Sequence, residues 1–332
     1  MVNLPDHLQQ LCRQCGLGKP LAAPEVVHGG FHHRMWGVTT SRGRFAVKQL
    51  AVDLDLHHAD TIKHFELTET VASRFADLGI PAVAALNQQG RFLQIIDSAG
   101  YLVYPWIQAR SLQREKIERK HVARVAEIFA AMHGAEVDVP GLSGEEFAVM
   151  DESSLEALVQ FAHSRNSSRV RELEEQLPVF RQIIHNHTKA AASLSANTLV
   201  SHGDLDHKNV LWSAEQLFVI DWESARRLNP THEIVLEALD WSGITLDFNE
   251  DLFDHMVSVY LGAGGKADLT ELEAAFHCVL GDWLNWLMYN LGRSIDMDDE
   301  QQRRIGGEQV DHALATLLRL QRLTPRLLAK LN

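Results

Sequence analysis

The stretch that most constrains this chain runs Ser201-His202-Gly203-Asp204-Leu205-Asp206-His207-Lys208-Asn209-Val210-Leu211-Trp212, followed closely by Leu217-Phe218-Val219-Ile220-Asp221-Trp222-Glu223. A short strand enters a polar loop, a second leaves it, and a third delivers Asp221 and Glu223. Phosphoryl transfer needs one carboxylate to orient an attacking hydroxyl and accept its proton, and further oxygens to hold Mg²⁺ on nucleotide phosphates. Asp204 suits the first task, and Asn209 with Asp221 the second. Asn209 is neutral, so it can ligate a cation without adding repulsion between close carboxylates. Asp and Asn in a loop ordinarily close turns through side-chain hydrogen bonds. The apolar strand ending in Ile-Asp-Trp-Glu is what lifts this combination above that reading.

The N-terminal part offers a matching half. Gly29-Gly30 falls between two strand-like segments, where backbone must approach something closely. Phe45-Ala46-Val47-Lys48 places a lysine on the third strand, as kinases do. Such a lysine neutralises α- and β-phosphates and is held by a helix glutamate. Glu69, beside the small residues Ala72 and Ala76, is preferred for that partner over Glu66. His28, His32 and His33 flank the glycines and read as solvated or phosphate-side donors, not metal ligands.

Around these motifs, Asp6 to Cys15 reads as a short helix, and Val26-Val27, Met35 to Thr39 and Arg44 to Leu50 as strands. A helix follows over about 56–78, with Leu67, Val71, Phe75 and Leu78 at helical spacing, closed by Gly79-Ile80-Pro81. Strands are expected near Val83–Leu86, Phe92–Ile96 and Tyr101–Tyr104. Beyond Trp106 the pattern turns helical: about 117–133, a polar helical stretch over 145–195, then 233–243, 248–262, 268–292 and 308–330. Thr198 to Ser201 leads into the central loop. The expected class is α+β with two lobes, a β-rich lobe over 1–107 and a mainly helical lobe over 108–332.

Charge separates along the same line. The formal net charge of −13 lies entirely in residues 108–332, while 1–107 are neutral. An acidic field disfavours nucleic acid and anionic membranes and gathers cations. Of three cysteines, Cys12 and Cys15 form a lone CxxC with no second ligand pair at zinc spacing, and read as incidental thiols. Few cysteines, no signal peptide and no apolar run near ~20 residues point to a cytoplasmic protein without a membrane span. Oligomeric state is left open.

From Gly29-Gly30 through Lys48, Gly79-Ile80-Pro81, Tyr104-Pro105-Trp106, His202 to Asn209 and Ile220 to Glu223, the chain resembles the aminoglycoside phosphotransferase and choline kinase superfamily. That resemblance implies a two-lobed, protein-kinase-like fold, ATP or GTP with Mg²⁺ as cofactors, and a small hydroxyl-bearing substrate. It implies Asp204 as catalytic base, Asn209 and Asp221 as metal ligands and Lys48 as the phosphate-binding lysine. The segment Tyr104–Ile107, with Trp106, would be the hinge that meets the adenine. Two positions depart from the pattern: Gly29-Gly30 is not a full GxGxxG, and Lys208 stands where a glycine usually precedes the asparagine. Glu223 either holds metal through water or supports the loop, and it is grouped with the acceptor-side candidates.

Pro230 and a new helix follow Asp221 within a dozen residues, leaving little room for the peptide-docking segment of a protein kinase. A small acceptor is therefore expected, held by Asp282, Trp283, Trp286, Tyr289 and Asn290 on a late helix. Aromatics with acidic residues suit a cationic ligand, although a Trp/Leu stripe is more often core. The leading expectation is a kinase of an aminoglycoside-like antibiotic or of an amino-alcohol or sugar metabolite. The alternatives are a choline, ethanolamine or thiamine kinase, or a catalytically silent nucleotide-binding scaffold.

Overall fold

The fold comes from a computed structural model that describes residues 4–27, 33–144, 147–214, 216–297 and 299–331. Gly29, Gly30, His28 and His32 lie outside the described residues. The chain divides into two compact units. The first comprises Met1–Leu112, Ala135–Ser143 and Val200–Arg226, and the second Gln113–Gly134, Gly144–Leu199 and Arg227–Asn332. The segment 200–226 thus groups with the N-terminal sheet and not with the helices on either side of it in sequence.

In the first unit, α1 (Leu4–Gln14) precedes β1 (Glu25–Val27), β2 (Arg34–Thr40) and β3 (Gly43–Gln49), then α2 (Ala59–Asp77), β4 (Gln94–Ile96) and β5 (Ala99–Pro105). The five strands form an antiparallel sheet in the order β1-β2-β3-β5-β4. Successive side chains on a strand face opposite ways. Val47 joins Trp36, Val38, Tyr101 and Val103 against Leu4, Leu8 and Leu11 of α1. Lys48, paired across the ladder with Leu102, faces the other way, where Leu102 packs with Leu50 and Phe65 of α2. Pattern alone therefore aims Lys48 at the α2 side of the sheet.

Helix α2 buries Phe65, Glu69, Val71, Ala72 and Phe75. Leu78, expected on the same face, is 59% exposed because the helix has already ended. Gly79 takes φ +82°, and its N–H and that of Ile80 return to Ala76 and Phe75, the Schellman closure that favours glycine. The strand expected over Val83–Leu86 is absent. Val83 N donates to Val219, Ala85 N to the Glu69 carboxylate and Leu86 N to Val103, so these backbone groups are satisfied singly and build no ladder.

A smaller antiparallel sheet sets out the central loop: β6 (Arg110–Ser111), β8 (Val210–Trp212) and β9 (Leu217–Val219), with β8 in the middle. Leu199–Ser201 (β7) leads into the loop, and Arg226–Leu228 (β10) leads away from Asp221.

The second unit carries α3 (Arg119–Gly134), α4 (Glu152–Ser164), α5 (Val170–Leu194), α6 (Pro230–Trp241), α7 (Glu250–Gly262), α8 (Leu272–Asp296) and α9 (Glu300–Leu331). α8 packs on α5, α6 and α9, and α3 on α7. Asn229 caps α6, accepting from Thr231 N and His232 N ahead of Pro230 at the first helical turn. Deep in this unit His133 bridges Tyr260 Oη at 2.7 Å and Glu233 Oε2 at 2.6 Å. Among the described residues, no helix is long and apolar enough to cross a membrane. Cys12, Cys15 and Cys278 are buried and in no disulfide, and burial pushes the Cys15 thiol up to about 12.

Candidate active site

The central loop, Asp221 and Lys48 lie in the first unit. His202 is fully buried; its Nε2–H donates to Ile220 O at 2.9 Å, and its Nδ1 accepts from Asp204 N at 3.3 Å. One neutral ring thus fixes both the loop carrying Asp204 and the strand end delivering Asp221. Trp222 packs on that ring at 4.6 Å between centroids and on Phe75 of α2 at 5.4 Å. Gly203 takes φ +75°, and a Cβ there would collide with Ser224 O and the Arg226 guanidinium, so no other residue fits. Lys208 is not among the described residues of positive φ. Its N–H donates to Asp206 Oδ1 at 2.8 Å and its Nζ pairs with Asp206 Oδ2 at 2.6 Å, so the turn closes without a glycine.

Asp204 is exposed, and its backbone carbonyl and Oδ2 accept from Asn209 Nδ2 at 2.8 and 3.2 Å. The amide of Asn209 thus turns its N–H to Asp204 and keeps its carbonyl oxygen for another partner. Asp221 sits at φ 64°, ψ 61°, a left-handed conformation costing a non-glycine residue ~1–2 kcal/mol, which Asp tolerates better than most. Strain at a carboxylate beside this loop fits a residue whose direction matters more than its comfort.

Lys48 Nζ donates to Asp221 Oδ1 at 2.5 Å and to Glu223 Oε2 at 2.9 Å. Burial alone would lower the lysine pKa, but the charges and hydrogen bonds of Asp221 and Glu223 outweigh it and hold it above the ordinary value. Glu223 is likewise opposed by burial, yet the His33 hydrogen bond and the Lys48 charge bring its carboxyl down to about 2. The expected Lys48–Glu69 ion pair is not formed. Glu69 accepts from Ala85 N at 2.7 Å and Tyr104 Oη at 2.5 Å, and burial pushes it up to about 7 despite those donors. Glu66 accepts from Phe92 N and Leu93 N. Both helix glutamates are thereby turned to the backbone that follows α2.

The other expected residues fall as follows. Tyr104 is the donor to Glu69, Trp106 lies under the Arg44 guanidinium at 3.8 Å, and Ile107 follows in a partly buried segment after β5. Glu223, expected on the acceptor side, instead joins Lys48, because the short 3-10 turn Trp222–Ser224 that follows Asp221 presents it. On α8, Asp282, Trp286 and Tyr289 share one face at i, i+4 and i+7. Asp282 is held by His232 at 2.9 Å, and the Trp286 and Tyr289 rings stack at 5.6 Å while 42% and 55% exposed. Trp283 is half-buried. Asn290 is wholly buried, donating to Trp286 O with its Oδ1 unpartnered, which removes it from that open face. His33, expected as solvated or phosphate-side, is nearly buried and 3.1 Å from Glu223. No spacing in the sequence marks either His33 or His232 for its carboxylate.

A family model described as "Phosphotransferase enzyme family" matches residues 24–274. Among solved structures, the chain is similar to a spectinomycin phosphotransferase in complex with ADP and spectinomycin, with TM-score 0.66 and 14% identity over 94% of this chain and 98% of that one. It is similar to choline kinase from Cryptosporidium parvum Iowa II, with TM-score 0.58 and 12% identity over 98% and 99%. It is also similar to an amicoumacin kinase in complex with AMP-PNP and Ca²⁺, with TM-score 0.63 and 10% identity over 92% of each chain. At such identities the likeness shows the fold, which is the two-lobed, protein-kinase-like plan. No curated protein matches the chain by sequence.

Proposed function

As the chain belongs to the phosphotransferase enzyme family and is a small-molecule phosphotransferase with a hydroxyl acceptor, we propose that it transfers the γ-phosphoryl group of ATP or GTP to a small cationic molecule, with Mg²⁺. The observation that carries this reading is the grouping of Asp204, Asn209, Asp221 and Lys48 in one compact unit, where His202 bonds Asp204 N and Ile220 O, Asn209 bonds Asp204 and Lys48 bonds Asp221. Asp204 is the exposed carboxylate of the loop, oriented by Asn209. It accepts the proton as the acceptor oxygen bonds to the γ-phosphorus and the bond to the β-phosphate oxygen breaks, releasing the nucleoside diphosphate. Lys48 supplies a fixed positive charge for the α- and β-phosphates, and the segment Tyr104–Ile107 meets the adenine.

The donor set fits a hard cation: the Asn209 amide oxygen and the Asp221 carboxylate, whose Oδ1 is on Lys48 and whose Oδ2 remains. Bound there, Mg²⁺ neutralises phosphate charge. The expected cationic acceptor is supported by α8, where a carboxylate 40% exposed and held by a histidine shares a face with two stacked, open aromatic rings. Aminoglycoside-like antibiotics and amino-alcohol or sugar metabolites both meet that chemistry, as does spectinomycin, the ligand of one similar structure. The test is nucleotide consumption by purified protein with Mg²⁺ over a panel of hydroxylated amines, sugars and antibiotics, with Asp204→Ala as control. Turnover on one panel member that the variant loses supports the assignment, and absence of any nucleotide binding overturns it.

A further inference from the structure

We propose that His33 is a positioning residue for the phosphate-binding lysine, acting through Glu223. This rests on the nucleotide reading above. His33 stands one residue before β2, and Ala51 two residues past β3. The backbone N–H of Ala51 donates to His33 Nδ1 at 3.1 Å. A backbone N–H can only donate, so Nδ1 keeps its lone pair and the ring proton sits on Nε2. That nitrogen is 3.1 Å from Glu223 Oε2, the oxygen that also takes Lys48 Nζ at 2.9 Å. Ala51 N–H thus donates to His33 Nδ1, His33 Nε2–H donates to Glu223 Oε2, and Lys48 Nζ donates to that same oxygen.

The ring is well placed for such work. Its side chain is only 10% exposed and meets Phe65 edge-on at 6.1 Å, so it cannot swing freely. Glu223 by contrast is 35% exposed, with three rotatable bonds, and needs a second contact to hold one rotamer. Asp221, the other anchor of Lys48, is the residue assigned to the cation; Glu223 is the anchor which that task leaves to the lysine. The helix glutamate expected in the role, Glu69, is committed to Ala85 N and Tyr104 Oη. In this chain the lysine is therefore aimed from the strand end that carries Asp221, and the histidine sets the carboxylate that aims it.

The experiment compares wild type, His33→Leu and His33→Gln for ADP binding by calorimetry without metal, for steady-state kinetics, and for thermal melting. Leu can neither accept from Ala51 nor donate to Glu223, whereas Gln can do both. With one charge-assisted hydrogen bond lost from a group that binds ground and transition state alike, His33→Leu weakens ADP about 10-fold and raises the nucleotide KM in parallel, with kcat within about threefold. His33→Gln recovers both constants to within about threefold of wild type. A merely structural role would lower the melting temperature and leave the ADP affinity of the folded fraction unchanged. ¹⁵N NMR of wild type at neutral pH should show the Nε2–H tautomer at His33, a readout that does not depend on either variant folding. Equal ADP affinity in wild type and His33→Leu, failure of His33→Gln to recover, or an Nδ1–H tautomer each overturns this proposal alone. Wild type that binds no ADP overturns the nucleotide reading with it.

Discussion

Tyr104 Oη donates to Glu69 Oε1 at 2.5 Å, so the end of β5 holds a carboxyl that α2 presents from within the same unit. Burial raises that carboxyl from the ordinary glutamate range to about 7. The folded state therefore binds a proton that the unfolded chain releases at lower pH. The sign follows: the contribution is favourable below the unfolded value, and stability falls as pH rises through the folded one. Between pH 5 and pH 8 the loss from this group approaches ~3 kcal/mol. Glu69→Gln keeps an acceptor for Ala85 N and should flatten that segment of the profile, read by urea denaturation at both pH values.

Asp204→Ala should lower kcat by ~10²–10⁴, the range for a lost general base, with nucleotide affinity little changed. Asn209→Ala should instead raise the Mg²⁺ concentration needed for half-maximal rate. Adding a chelator to wild type should abolish turnover, and Mg²⁺ should restore it. Initial rates over a Mg²⁺ series separate the two variants. An unchanged Mg²⁺ requirement in Asn209→Ala would remove that residue from the cation site.

His133 is wholly buried between Tyr260 and Glu233. His133→Ala leaves a carboxylate and a phenol in the second unit without that partner and should destabilise by ~3 kcal/mol. Chemical denaturation gives the number, and loss of near-UV signal shows whether tertiary packing fails first.

The α8 face offers a kinetic signature. Asp282→Asn and Trp286→Ala should each raise the acceptor KM by ~10-fold, the scale of a cation–π or exposed ionic contact in a partly desolvated site. The nucleotide KM should stay put. A matching change in the nucleotide KM would mean that these side chains support the fold and not the acceptor.

Much of the fold was legible in the sequence. The 3.6-residue spacing of Leu67, Val71 and Phe75 and the glycine after Leu78 are local signals, and α2 with its Schellman end follows from them. The loop from His202 to Asn209 and the short strand Leu217–Val219 ahead of Asp221 were legible because their residues are close in sequence. The partner of Lys48 was not. Glu69 and Glu223 are both carboxylates at plausible positions, and the choice depends on which oxygens the backbone claims first. That depends on Ala85, Tyr104 and His33, brought together by tertiary packing. Val83–Leu86 failed for a related reason: an apolar run looks like a strand, but its N–H groups go one each to β9, the Glu69 carboxylate and β5, and build no continuous ladder with any one strand.

The first unit is assembled from three separated lengths of chain, and its last piece ends at Arg226. Pairing of Val219 with Pro81 and Val83, and of β8 with β6, joins residues a hundred or more apart. During synthesis the five-stranded sheet is complete long before β8 and β9 exist. At ribosomal speed the nascent protein spends roughly 10 s with its lysine strand made and its loop partners still unwritten. Through that interval Lys48 and the inner face beside it have neither Asp221 nor Glu223 to meet. Chaperone dependence and the effect of slow codons should therefore concentrate between residues 112 and 226.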